Sequence, residues 1–158
     1  MKAIILLIGF VFALCAADPY APLRLYDGSW DVRLAGKPAD KLTNRCALIG
    51  RYYACEQTVN GKVGALVVFL PKEQPGEYWT NPLTAEARSN GRGDLSIQGN
   101  RWVYSSKNTE GEKTTFYRTV NVFTGADQIH FEVAESPDGK TWTVTMSGDE
   151  TRASAVAK

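Results

Sequence analysis

From Leu25 to Arg152, apolar and polar residues alternate in short runs cut by turn dipeptides. These are Gly50-Arg51, Asn60-Gly61, Pro75-Gly76, Asn90-Gly91, Gly99-Asn100, Glu110-Gly111, Gly125-Ala126 and Asp138-Gly139. No stretch holds a sustained helical period. Alternation with period two, divided at short intervals by turn residues, predicts an all-β antiparallel meander of about 8–10 strands. Asp18–Arg24 is polar and carries Pro19 and Pro22, which predicts an extended N-terminal arm.

Turn chemistry fixes a register that can be followed across the C-terminal half. A Gly99-Asn100 turn sets Ile97 against Trp102 and Leu95 against Tyr104. A three-residue loop Thr109-Glu110-Gly111 sets Tyr104 against Phe116 and Trp102 against Arg118. A turn near Gly125 pairs Val122 with Ile129 and Val120 with Phe131. The Asp138-Gly139 turn pairs Val133 with Val144 and Phe131 with Met146. One face then carries Leu95, Ile97, Trp102, Tyr104, Phe116, Val120, Val122, Ile129, Phe131, Val133, Trp142, Val144 and Met146, with Arg118 among them. The other carries Tyr117, Thr119, Asn121, His130, Glu132, Thr143, Thr145 and Ser147. One apolar face suits a sheet wrapped around its own interior.

In the N-terminal half, CALIGRYYAC reads as a hairpin about Gly50-Arg51. Its pairs are Ile49 with Tyr52, Leu48 with Tyr53, Ala47 with Ala54 and Cys46 with Cys55. The last falls at a non-hydrogen-bonded position, where Cα atoms lie about 4.5 Å apart, close enough for a disulfide. An Asn60-Gly61 turn sets Cys55 against Leu66 and Tyr53 against Val68. That leaves Ala65, Val67 and Phe69 on the opposite face, with the N-terminal arm a candidate cover.

The first 17 residues change the picture of where this happens. Lys2, the apolar run Ala3–Leu14 and the small residues of Cys15-Ala16-Ala17 have the layout of a signal peptide cleaved after Ala17. The run is too short to cross a bilayer, which takes about 20 apolar residues. Lipidation at Cys15 is the alternative, although Leu14 is an unusual residue to precede a lipidated cysteine. The chain after Ala17 is expected to be periplasmic or secreted, where an even pair of cysteines reads as a structural disulfide. Without Lys2 it holds 17 basic and 17 acidic residues. It therefore lacks the basic patch of a nucleic-acid binder and the polybasic segment of a membrane-surface protein.

Gly28-x-Trp30 opens the first strand and Arg152 ends the last. In this the chain resembles the calycin superfamily, which includes lipocalins, fatty-acid-binding proteins and avidins. The resemblance implies that Trp30 packs against Arg152 at the closed end of a single up-and-down barrel, a cation–π contact between first and last strands. The chain is similar to secreted bacterial calycin-like domains without an assigned function in LYDGSWDV, YYACEQTVNGK, TTFYRTVNVFTG and IHFEVAESPDGKTW. The lipocalin T-D-Y motif and its basic partner have no counterpart here. The implied organisation is a signal peptide over 1–17, an arm over 18–24, a barrel over 25–152 and a disordered tail over 153–158.

Candidate chemistry is sparse. His130 is the sole histidine. It could be a haem ligand inside a barrel, but its register puts it on the polar face as a solvated residue. Arg118, on the apolar face, needs a partner. That partner is either a carboxylate such as Glu150, with stacking on Trp102, or an anionic group of a ligand. SPDGKTW (136–142) is similar to the Asp-box of sialidases with one residue missing, and reads as a hairpin turn. Arg92-Gly93-Asp94 spells an integrin-type triplet that links two strands. No His/Cys cluster offers a metal site, and no placed pair of groups suggests catalysis or a cofactor.

The expected function is non-catalytic binding of a small, partly apolar molecule, with a carboxylate as its candidate polar group. Trp102, Tyr104, Phe116 and Arg118 are the expected lining residues. One alternative is a protein-binding barrel, such as a periplasmic protease inhibitor acting through Asp18–Arg24. Another is a packed scaffold without a ligand. A binder should enclose a void, whereas an inhibitor should have a packed interior and depend on its arm.

Overall fold

A computed structural model describes residues 18–89 and 91–154. The expected leader 1–17, with Cys15 and its lipidation, lies outside the described residues, as do Asn90 and the tail from residue 155. The strands in chain order are β1 (Gly28–Leu34), β2 (Asp40–Ile49), β3 (Tyr52–Val59), β4 (Lys62–Pro71) and β5 (Glu77–Thr84). They continue as β6 (Gly93–Gln98), β7 (Arg101–Glu110), β8 (Lys113–Phe123), β9 (Gln128–Ser136) and β10 (Thr143–Arg152). Each pairs antiparallel with its sequence neighbour, and β10 returns to β1, so these ten strands form a closed up-and-down barrel with no free edge.

Two hairpins have the register that their turns predict. In β2–β3, Ile49 faces Tyr52, Leu48 faces Tyr53 and Cys46 faces Cys55. The two cysteines are joined, with their Cα atoms 4.0 Å apart. In β6–β7, Leu95 faces Tyr104 and Ile97 faces Trp102.

Elsewhere two single-residue bulges and one tighter turn put whole strands the other way over, because side chains alternate strictly between faces. Gly64 is left unpaired after the β3–β4 turn, so Cys55 meets Val67 and Tyr53 meets Phe69. Val67 and Phe69 therefore point inward, and Leu66 and Val68 outward, the reverse of the expected faces. The β7–β8 turn is tighter than a three-residue loop: Glu110 pairs with Lys113, and Tyr104 faces Thr119 rather than Phe116. That three-residue shift brings Thr119, Asn121 and Phe123 inside and puts Phe116, Arg118, Val120 and Val122 outside. In β10, Thr145 is unpaired between Val144 and Met146, so Met146 faces inward while Val144 is half exposed on the outer wall.

The outer face of β8 is apolar, and its Phe116–Arg118 end is covered. Residues 136–142 fold back over it, laying Trp142 under the Arg118 guanidinium, 4.3 Å from ring centroid to carbon. The backbone at Gly139 passes over the Phe116 ring. Ala134 and Ser136, also on this outer side, are 2% and 1% exposed beneath the loop. The loop holds itself in shape. Asp138 accepts from the Lys140 and Thr141 amides and from the Ser136 hydroxyl, each at 2.8 Å. These bonds hold its carboxyl down at about 2.

The N-terminal segment is not an extended arm. Ala21–Tyr26 form a 3-10 helix, entered through Pro22, which suits the first helical turn. Tyr20 and Leu23 are buried. Tyr20 stacks on Tyr53 with ring centroids 5.5 Å apart and donates its hydroxyl to the Arg51 carbonyl. This helix stoppers one end of the barrel. Beneath it Trp30, Tyr78, Leu95, Trp102, Phe123 and Ile129 form a solid core, with Trp102 and Phe123 rings 4.7 Å apart.

Candidate functional site

Above that core the interior is hollow. A cavity of about 490 Å³, lined by residues from eight of the ten strands and by Tyr26, opens away from the stoppered end. That is many times the roughly 30 Å³ of a water molecule and within the usual range for small-molecule sites. Its walls are largely apolar: Leu42, Val67, Phe69, Phe131, Val133 and Met146 all reach it because inward positions alternate along each strand. Cys55 also lines it, so the disulfide braces one wall.

The floor is polar. Tyr26, at the end of the 3-10 helix, projects its ring over Trp30, with centroids 5.9 Å apart, and its hydroxyl toward Glu150. That hydroxyl donates to Glu150 Oε1 at 3.4 Å, a long bond. The Tyr26 carbonyl accepts from Trp30 Nε1 at 3.1 Å and Asn44 Nδ2 at 3.3 Å, which fixes the helix end over the core. Gln57 Nε2 in turn donates to Asn44 Oδ1. Tyr104, Thr119 and Asn121 complete the polar surface.

Glu150 sits on β10 two residues before Arg152, and its cross-strand partners are Val32 and Ile129. It is 6% exposed, and its Oε2 has no hydrogen-bond partner. Burial pushes its carboxyl up to about 7, against the opposing pull of the Tyr26 hydroxyl. The Tyr26 and Tyr104 phenols are pushed up by burial and by the nearby Glu150 charge, so both remain protonated donors.

The expected site residues are not brought together. Tyr104 lines the cavity; Trp102 lies below it, packed in the core. Phe116 and Arg118 are on the outer wall, so Arg118 neither pairs with Glu150 nor stacks on Trp102, and it offers no cation to a carboxylate ligand. Trp30 and Arg152 pair across β1 and β10 as the closure contact. His130 is outside, with Nδ1 2.8 Å from Asp149 Oδ1. The Arg92-Gly93-Asp94 triplet is engaged at both ends: Arg92 lies over Trp79, and Asp94 pairs with Lys72 at 2.6 Å. Among the described residues no group of three or more His, Cys, Asp or Glu side chains could hold a metal ion.

Tyr26 is the floor residue that sequence reasoning missed, and Glu150 entered that reasoning only as a partner for Arg118. Glu150 was visible as an acidic residue two positions from Arg152, hence on the same face as the closure contact. The expected inward face of β10, which carries Met146, already includes position 150 by alternation.

A closed ten-stranded antiparallel barrel with an apolar cavity and a polar floor is the class of molecule that this chain forms. No family model matches it, and no curated protein matches it. Among solved structures, the crystal structure of Rv2717c from M. tuberculosis matches with a TM-score of 0.52 at 14% identity, over 87% of this chain and 98% of that one. At that identity the likeness shows the barrel fold alone.

Proposed function

We propose that the protein is an exported, non-catalytic binding protein of the calycin type, holding a small, partly apolar molecule inside its barrel. The carrying observation is the cavity of about 490 Å³ with one polar end, which suits an amphipathic guest better than a packed scaffold would. The closed-end contact of Trp30 with Arg152 supports the calycin assignment. The Cys46–Cys55 disulfide, together with the apolar leader in the sequence, supports an oxidising compartment. An inhibitor acting through Asp18–Arg24 has less support, because Tyr20 and Leu23 of that segment are buried in the barrel end.

Native mass spectrometry of protein taken from its own source, compared with the denatured mass, would reveal a retained guest. In parallel, a neutral hydrophobic dye should bind the purified protein at one site, and Val67→Trp, which fills the cavity from β4, should abolish that binding. A protein that is empty and ignores the dye is not a binder.

A further inference from the structure

The cavity has a definite electrical sign. Its lining holds two carboxyl groups, Glu150 and Asp40, and no lysine, arginine or histidine. Both acids flank Val32, which pairs with Glu150 on one side and Asp40 on the other, so they share the inner wall two strands apart. Their roles differ. Asp40 accepts from Asn60 Nδ2 at 2.7 Å, whereas Glu150 is deeper and keeps Oε2 free. Arg152 does not neutralise it. Its guanidinium donates to the carbonyls of Leu25, Ala126 and Asp27 and to the Asp127 carboxylate. The aromatic rings of Tyr26, Phe69, Tyr104 and Phe131 line the same space, and ring faces attract cations.

We propose that the guest is an amphipathic amine whose protonated nitrogen donates to Glu150 at the cavity floor while its apolar body fills the space between β4 and β9. This rests on the binding reading above and specifies the guest's polar group. A buried carboxylate without a partner is costly, and an ammonium group supplies both the opposite charge and the missing donor. The groups facing Glu150 are Tyr26 from the 3-10 helix, Tyr104 from β7 and, at the rim, Asp40 from β2. None of them supplies a positive charge.

The test uses three guests of equal chain length, octylamine, 1-octanol and octanoate, each displacing the neutral dye. Octylamine should bind the wild type at least tenfold more tightly than 1-octanol, with octanoate weakest. Glu150→Gln should remove that preference, bringing octylamine affinity to within twofold of that for 1-octanol. A second readout needs no variant. Because the Glu150 carboxyl titrates at about 7, octylamine affinity should rise about tenfold between pH 6 and pH 8 while 1-octanol stays level. Equal affinity for amine and alcohol at every pH, or tighter octanoate, overturns the amine assignment but leaves the binding reading standing. Failure of the dye and all three guests to bind overturns both.

Discussion

Arg152 reaches back across the barrel seam to Trp30: the two residues pair directly between β10 and β1, and the guanidinium carbon lies 4.2 Å from the indole centroid. The sequence G-x-W makes room for this. Gly28 has φ +113, a conformation L-residues rarely adopt, and a Cβ there would come within 2.9 Å of Arg152 Nη1. Nη1 donates to the Asp27 carbonyl at 2.8 Å and Nη2 to the Leu25 carbonyl at 2.7 Å. One side chain thus ties the last strand to the 3-10 stopper and the first strand. Arg152→Ala should cost about 2–4 kcal/mol in urea unfolding, from the lost charge-assisted bonds and the stacking. Arg152→Lys should recover only a minor part, since one ammonium cannot reproduce the planar fork.

The stopper is structural, and its removal should show that. Leu23 is 1% exposed and Tyr20 is 5% exposed, stacked on Tyr53 and Tyr78. Leu23→Ala should destabilise the protein by about 2–5 kcal/mol. A chain starting at Asp27 should lose cooperative unfolding, because it lacks this packing and the Leu25 carbonyl bonded by Arg152. If the shortened chain unfolds at the same urea concentration as the full one, the segment is a free arm after all.

How far the sequence could be read depends on which forces fix each register. The β2–β3 hairpin is legible because a two-residue turn and a cross-strand cysteine pair allow one pairing. The β6–β7 hairpin is legible because Leu95, Ile97, Trp102 and Tyr104 agree with a Gly99-Asn100 turn. β8 is not. Phe116, Val120 and Val122 form its more apolar face, and an apolar face normally marks the inside. Here the Phe116–Arg118 end of that face is covered by Trp142 and the 136–142 loop, a tertiary contact that local alternation does not encode. The bulges at Gly64 and Thr145 are hidden for a related reason: one unpaired residue inverts the alternation without altering the composition. The cavity's chemistry followed these errors, with Arg118 assigned inside and Asn121 outside.

Arg118 is a direct check of the β8 register. Its Nε is buried without a partner, and its guanidinium rests on Trp142. Methionine keeps the apolar stem against the indole and removes the unpaired donor. Arg118→Met should therefore change stability by less than about 1 kcal/mol and leave dye affinity in the cavity unaltered. A marked loss of dye binding, with the fold intact by circular dichroism, would mean that Arg118 lines the interior.

Glu150 should make stability depend on pH in a direction opposite to that of an ion-paired acid. Its folded carboxyl titrates at about 7, raised from 4.5 mainly by burial. Between those values the native state holds a proton that the unfolded chain has released. Stability should then fall as pH rises through this window and level off above about pH 7. At 1.36 kcal/mol per pKa unit the full effect is on the order of 3 kcal/mol. Asp138 acts in a separate range. Its carboxyl is held down at about 2, so its contribution is present above 3.8 and fades only in stronger acid. Urea midpoints for the wild type should accordingly decline from pH 5 to pH 8. Glu150→Gln, which keeps the shape and the hydrogen bond from Tyr26 but cannot ionise, should give a flat profile and exceed the wild type at pH 8. A flat wild-type profile would place the Glu150 carboxylate in contact with water or a cation, and so remove the basis for its burial.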